Sequence, residues 1–397
     1  MKIVTYSVVL NQHQAPVADE LWELTNHQFV FVELINLGDA KGGTEDYSQR
    51  PYLLRAWEND ENRNMAMEFT HTADCCIFSG VDSLPYQKER LKLGLLSFDM
   101  SERWLKHGWK SLASPRLLAW LWAYYLGGWK HKPLYKLCMS AFAADDHYRM
   151  GTFKGKAYKW GYITKVERND TEAVLDVSTT NTVSLMWCAR YLKLKHPELP
   201  VLLASELKRR GYQFSLNMYG DGILCEKTKE MIKSLDLTSQ VTIHGNVPND
   251  RVREAMAQSD IFLFTSDRYE GWGAVANESL SNGCVLVASD TIGSSPYLIN
   301  NGENGFIFHS ASPSSSFDNP DHMALEDLIN KVVYLLEHRE ELVKMKHNAR
   351  EYMQELWSPK HAAENLMQLI DDLKNGRDTS IKVGPCSKAE NYVYISI

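Results

Sequence analysis

Residues 261–289 read IFLFTSDRYEGWGAVANESLSNGCVLVAS, and the order of patterns in them decides the fold. Ile261–Phe264 is a short, wholly apolar run of strand length, and Cys284–Ala288 is a second. Ser266–Gly283 lies between them. It opens as a loop punctuated by Gly271 and Gly273 and continues as a helical stretch, Ala274–Ser281, with Gly283 placed to close it. Two buried strands joined through a helix imply a parallel sheet with a crossover. The alternation extends upstream. Val183–Ala189 reads as strand, Leu199–Arg210 as helix, and Phe214–Tyr219 as strand running into Gly220-Asp221-Gly222. Glu226–Ser234 is helical, Val241–His244 leads into Gly245, and Asp250–Gln258 is helical again. In the first half, strands are expected at Lys2–Leu10, Phe29–Leu34, Cys75–Ser79 and Leu134–Cys138, with Lys159–Thr164 as a last short strand or extended exit. Helices are expected from Pro16 and around Asn64–His71. The charged stretch 166–176 suits a linker. Residues 322–376 read as helix interrupted at Ser358-Pro359, and Tyr392–Ile397 could pair as a strand. The expected class is α/β with parallel sheets.

The chain has 397 residues, a formal net charge of −7 and 11% aromatic residues. The aromatics argue against disorder, and the acidic balance argues against a general nucleic-acid binder. The seven Cys include no CxxC pair, so neither a disulfide framework nor a zinc site is expected, and the compartment reads as reducing. No secretory signal or stretch of about 18 apolar residues is seen; the expected location is the cytoplasm. The 13 His are scattered. Asp145-Asp146-His147 are adjacent, so on a helix they face different ways; they read as structural surface residues. No metal or cofactor is expected.

Four places hold candidate chemistry. Glu270 follows a buried strand and Glu278 stands eight residues later in the helix. With Gly271, Trp272 and Gly273 between them, the backbone can approach a ligand closely. The first amides of the helix, near Ala274, Val275 and Ala276, have no intrahelical acceptor and favour a diphosphate. Two carboxylates eight apart are otherwise solvated helix charges. Arg190 and Lys195 follow the Val183–Ala189 strand and suit charge building on a diphosphate; the alternative is a basic surface loop. His13 sits in the loop after the first strand, at the end where doubly wound sheets bind ligands; otherwise it is an exposed loop residue. Glu102 and Arg103 are weaker candidates of the same kind. Finally, residues 103–132 hold five of the eleven Trp and six Lys/Arg with no Asp or Glu. That composition suits an anionic bilayer surface, or else aromatics filling a core beneath solvated cations.

Glu270-Gly-Trp-Gly through Glu278 resembles the E-x7-E motif of retaining glycosyltransferases of family 4, which have the GT-B fold. Ile261–Ser266, Gly283–Ser289, Gly293 and Asn301–Gly305 stand in that family's order, as do Gly220-Asp-Gly222 and Val241–Gly245. Leu10–Gln14, Ser101–Arg103 and Tyr158–Gly161 resemble a bacterial surface-polysaccharide branch. Where the family shows Gly-Arg and then Lys, this chain has Ala189-Arg190 and Lys195.

The resemblance implies two Rossmann-like domains facing across a cleft. Residues 1–165 would bind acceptor and 175–358 the nucleotide-sugar. A helix at 359–376 would cross back, followed by a tail at 377–397. The implied reaction is hexosyl transfer to a hydroxyl, on a glycan or lipid-linked intermediate of capsule or exopolysaccharide synthesis. Arg190 and Lys195 would stabilise the leaving diphosphate, Glu278 hold the ribose and Glu270 the sugar, with His13 beside the reacting groups. Gly220, Asp221, Gly245, Asn246 and Val247 would line the nucleotide, and Glu102 and Arg103 the acceptor. A nucleotide-sugar epimerase and a non-catalytic nucleotide-sugar-binding protein are the alternatives.

Overall fold

A computed structural model describes residues 1–36, 47–166 and 182–389. The expectations for most of 166–176 and for Tyr392–Ile397 lie outside the described residues. The chain divides into two compact units, Met1–Lys165 with Leu356–Ile397, and Val166–Glu355.

In unit 1, β1 (Ile3–Ser7) is followed by α1 (Ala15–Leu24), β2 (Phe29–Glu33), β3 (Leu53–Arg55), α2 (Asp60–Thr72) and β4 (Cys75–Ser79). Then come α3 (Leu84–Lys92), β5 (Ser97–Ser101), α4 (Pro115–Tyr125), β6 (Leu134–Cys138), α5 (Ala143–Arg149) and β7 (Ala157–Lys159). The seven strands are parallel, in the order β3-β2-β1-β4-β5-β6-β7. All five residues of β1 are buried, as expected of a strand covered by helices on both faces. The extended exit expected at Lys159–Thr164 is strand only to Lys159, where pairing with β6 ends at Cys138. Pro at the first turn starts α1, α3 and α4.

Unit 2 runs β8 (Val183–Cys188), α6 (Glu198–Arg209), β9 (Phe214–Tyr219), α7 (Cys225–Ser234), β10 (Val241–Gly245), α8 (Asn249–Ala257) and β11 (Ile261–Phe264). It continues with α9 (Val275–Ser281), β12 (Val285–Ser289), α10 (Ser295–Leu298), β13 (Gly305–Phe308), α11 (His322–Glu337) and α12 (Arg339–Leu356). Its six parallel strands are ordered β10-β9-β8-β11-β12-β13. Both sheets thus contain the 3-2-1-4-5-6 order of a doubly wound fold, with switch points between β1 and β4 and between β8 and β11. Connections leave a switch point toward opposite faces, so the loops after those strands part and open a crevice.

The helical segment 322–376 breaks at His338 as well as at Ser358. The last helix, α13 (Pro359–Lys374), starts with Ser358 Oγ accepting from the His361 amide at 3.3 Å. Ala362, Leu366, Leu369 and Ile370 recur at helical spacing and join Val17, Ala18 and Leu21 of α1 in one buried cluster. This last helix therefore belongs to the core of unit 1.

Arg90 of α3 is fully buried and has no carboxylate partner among the described residues. Its guanidinium donates to the carbonyls of Thr70, Ala73, Asp74 and Leu96 at 2.9–3.2 Å. It thereby ties the ends of α2 and α3 to the starts of β4 and β5. Arg90→Leu leaves those carbonyls without their donor, and we expect a loss of about 3 kcal/mol or more, read as a lower denaturant midpoint at unchanged m-value.

Candidate active site at the switch point of unit 2

Thr265, the residue after β11, carries the first contact of the site. Its hydroxyl accepts from Trp187 Nε1 at 3.0 Å and donates to the Lys195 carbonyl at 2.7 Å. The Asp267 amide donates to the Leu194 carbonyl at 2.9 Å. These bonds pin the loop after β8 to the loop after β11. Lys195 Nζ consequently meets Glu270 Oε2 in a short ion pair, both side chains half-buried. The sequence placed these residues in two separate sites; the sheet brings them together.

His196 was not among the expected site residues. It adopts φ +48° and is buried, with Nδ1 2.7 Å from Glu198 Oε1 and Nε2 3.5 Å from Asp267 Oδ2. Burial alone would favour neutral imidazole. The two carboxylates outweigh it and raise its pKa to about 9. This buried triad fixes the backbone on either side of Lys195 and Glu270. The sequence signal was the spacing His196-Pro-Glu198, weak without knowledge of Asp267.

Glu278 lies on α9, where burial pushes its carboxyl above the usual range while Asn249 Nδ2, at 3.4 Å, opposes the shift. Cys188 closes β8. Its thiol is pushed up to about 12, first by burial and then by the charge of Glu278, against Lys195. Cys188 therefore lies close enough to feel both groups. Arg190 is exposed two residues beyond Cys188.

The glycine loop differs in part from its sequence reading. Gly273 has φ +77°, and a Cβ there would lie 2.2 Å from Phe264 Cζ. Glycine is required because the turn passes over the Phe264 ring, in addition to any ligand approach. The Trp272 indole is fully buried and donates to Asn277 Oδ1 at 2.7 Å, so its side chain belongs to the core. The Ala276 amide is taken by the Gly273 carbonyl at 3.0 Å, and the helix proper starts at Val275. Ala274 and Val275 remain as the amides that precede any intrahelical acceptor.

Gly220 has φ +111°, and a Cβ there would lie 2.1 Å from the Ala189 carbonyl oxygen. Its amide donates to the Gly245 carbonyl at 2.7 Å, and the Asp221 carbonyl accepts from Tyr191 at 3.0 Å. The loops after β8, β9 and β10 are thus hydrogen-bonded into one rim. Asp221 and Asn246 are exposed on it, and Val247 is half-buried. Tyr219 and His244 stack there, centroids 4.4 Å apart and planes at 8°, an aromatic pair that the sequence reading missed.

In unit 1, His13 is half-buried rather than an exposed loop residue. Its ring lies 5.1 Å from that of Tyr162, Nδ1 has no hydrogen-bond partner among the described residues, and burial lowers its pKa to about 4. Tyr162 donates to Glu102 Oε1 at 3.0 Å, which joins His13 and Glu102 through one phenol. The Arg103 guanidinium is buried on Asp146, with Nη2 3.0 Å from Oδ1 and Nε 3.3 Å from Oδ2. Asp145, Asp146 and His147 are themselves buried, which corrects the surface reading. Among the described residues no three His, Cys, Asp or Glu side chains gather as a metal site.

The sequence profile of the family described as Glycosyl transferases group 1 matches residues 177–352. EpsF of Bacillus subtilis (strain 168), assigned by name to the glycosyltransferases, is 35% identical over 104 residues. That match spans 26% of this chain and 26% of the relative, so it covers about a quarter of either protein. Among solved structures, HepE of Anabaena in complex with UDP superposes with a TM-score of 0.68 at 12% identity, over 94% of this chain and all of that one. The apo lipopolysaccharide outer core galactosyltransferase WaaB superposes with 0.67 at 16%, over 94% and 100%. A glycosyltransferase from Rickettsia africae ESF-5 gives 0.65 at 15%, over 94% and 99%. At these identities the structural likeness establishes the fold: two parallel-sheet α/β domains, as in GT-B enzymes.

The His196 triad has a pH signature. A pKa raised from about 6.5 in the unfolded chain to about 9 in the folded one means that protonation favours folding. The contribution is fully present below pH 6.5 and is lost as pH rises through 9. The thermal midpoint should fall across that window, and His196→Gln should lower it at pH 6 and flatten its pH dependence there.

Proposed function

We propose that the chain, whose residues 177–352 carry a glycosyl transferases group 1 domain, moves a glycosyl group from a nucleotide-sugar to a hydroxyl acceptor with retention at the anomeric carbon. The observation that carries the reading is the meeting of Lys195 with Glu270 at the switch point. A diphosphate arriving at Ala274 and Val275 competes with Glu270 for the Lys195 ammonium, and Arg190 adds a second cation. Lys195 then turns to the phosphate, and Glu270 is released to accept hydrogen bonds from sugar hydroxyls and to face positive charge developing on the ring. The C–O bond to the diphosphate breaks, the acceptor oxygen bonds the same carbon on the same face, and its proton passes to the departing phosphate oxygen. Two cations and backbone amides supply the neutralisation that a metal provides elsewhere, so the proposed reaction runs without one. Glu278 holds the ribose. UDP in the HepE complex makes uridine the first nucleotide to test.

The acceptor we propose is a glycan or lipid-linked intermediate of bacterial surface-polysaccharide synthesis, met at the cytoplasmic face of the membrane. Residues 103–132 divide between the two readings of their composition. Trp104, Trp120 and Trp129 pack into a core cluster. Leu118, Trp122 and Leu126, at i, i+4 and i+8 along α4 and its end, are 51%, 64% and 74% exposed, and Trp109 is 58% exposed. No helix among the described residues is long and apolar enough to cross a membrane; this ridge suits lying in an interface.

Thermal shift with UDP, ADP and GDP, with and without Mg²⁺, tests the donor site; a shift from one base that persists in EDTA is expected. Glu270→Gln should lower kcat about 100-fold or more while UDP binds as tightly as before or tighter. Lys195→Ala should weaken both UDP binding and turnover. Wild-type turnover in Glu270→Gln would remove that residue from the mechanism. For the membrane ridge, co-sedimentation with phosphatidylglycerol vesicles should occur at low salt and drop in Trp122→Ser; equal binding by the variant would place the contact elsewhere.

A further inference from the structure

We infer that the cavity beneath α4 in unit 1 binds the sugar head of an amphipathic acceptor, an inference that rests on the transfer reaction proposed for unit 2. The cavity measures about 480 Å³, within the range of small-ligand sites at roughly 300–1,000 Å³. It opens outside the C-terminal ends of β4 and β5, between Gly80, Asp99–Ser101 and the residues leading into α4. That is the end of a parallel sheet where ligands bind. It is separate from the small apolar pocket beside His13, which measures about 40 Å³.

The chemistry of its walls is fixed by buried contacts. Lys136, fully buried, forms a short ion pair with Asp99 and donates to Ser101 Oγ at 2.6 Å. Ser101 Oγ also accepts from Trp104 Nε1 at 2.7 Å, and Lys136 lies 4.9 Å from the Trp104 ring centroid. Trp120 meets Trp104 edge to face, centroids 4.6 Å apart at 84°. The result is a rigid corner of two indoles beside an oriented carboxylate, with the Gln87 amide 3.4 Å from Asp99. A sugar ring matches this set. Its C–H face packs on indole, and its hydroxyls can donate to Asp99. A purely apolar ligand would cover a carboxylate.

The roof supplies the second half of the inference. Leu117 lines the cavity, while the next residue, Leu118, begins the exposed ridge continued by Trp122 and Leu126. Arg116 is at the rim, and no acidic residue occurs between 103 and 132. A ligand whose sugar enters beside Ser114 and Arg116 can lay an apolar chain along that ridge.

The test titrates the full chain with n-octyl β-D-glucoside, n-octyl β-D-galactoside and n-octyl 2-acetamido-2-deoxy-β-D-glucoside below their micelle concentrations, read by tryptophan fluorescence. The matching methyl glycosides and n-octanol serve as comparisons. At least one octyl glycoside should saturate with a Kd tenfold or more below both its methyl counterpart and octanol. Ser114→Phe, an exposed rim substitution that fills the mouth, should weaken that binding at least tenfold. UDP thermal shift is measured on the same samples. Silence from all three octyl glycosides beside an intact UDP shift overturns the cavity inference alone. So does an octanol midpoint equal to the glycosides', or full binding by Ser114→Phe. Loss of the UDP shift with glycoside binding retained overturns the reading of unit 2 and leaves the sugar site standing.

Discussion

The hydroxyl of Thr265 holds the candidate active site together. It accepts from the Trp187 indole of β8 and donates to the Lys195 carbonyl, and so links neighbouring strands with the loop that follows one of them. A switch point needs such a link. The connections after β8 and β11 run to opposite faces of the sheet, and chain connectivity alone does not hold their loops in register. A hydrogen bond from a strand-end hydroxyl does so without placing a side chain in the crevice. The Asp267 amide on the Leu194 carbonyl repeats the device one step outward. Lys195 and Glu270, 75 residues apart, meet because these bonds leave their loops little freedom.

Electrostatics follows from that frame. His196 protonated between Glu198 and Asp267 places one cation and two anions in a low-dielectric pocket beside the Lys195–Glu270 pair. Burying a charge is tolerable only when its partners are already oriented, and here the orientation comes from the same two loops. The crevice is therefore poised: an ammonium held by one carboxylate, which an anionic ligand with more negative charge can draw away. In unit 1 Arg90 meets the same constraint in another way, satisfied by four carbonyls and so carrying structure without a counter-charge among the described residues.

Much of this was legible in the sequence where the signal was local. Phe214–Tyr219 and Ile261–Phe264 are strands with the expected bounds, because apolar runs between glycine turns leave few alternatives. Glu270, Gly273 and Glu278 fall within one strand–loop–helix unit, so their order along the chain is nearly their order in space. The place of the Trp272 side chain is not written locally: the turn folds its indole into the core against Asn277. The ion pair of Arg103 was not legible because its partner, Asp146, lies 43 residues away and no local pattern joins them. His196 escaped for the same reason: half of its meaning resides in Asp267. A reading by periodicity sees elements, whereas ion pairs depend on the pairing of elements.

The two units differ in how their chemistry is distributed, and this accounts for the weaker sequence signal in the first. In unit 2 the candidate site groups sit within a few residues of β8, β9, β10 and β11, each announced by glycine or by a charge after an apolar run. In unit 1 the corresponding polar groups, Asp99, Lys136 and Ser101, lie on β5 and β6 within the sheet and show as single polar residues in otherwise buried strands. Asp99 and Lys136 are adjacent in the strand register, which lets a paired carboxylate stand at the edge of an aromatic corner. A binding surface of that kind is written in cross-strand neighbours and in tryptophans of α4 that divide between core and surface. Composition alone cannot separate those two populations, since the helix that buries Trp120 exposes Trp122 two residues later, about 200° further round its axis.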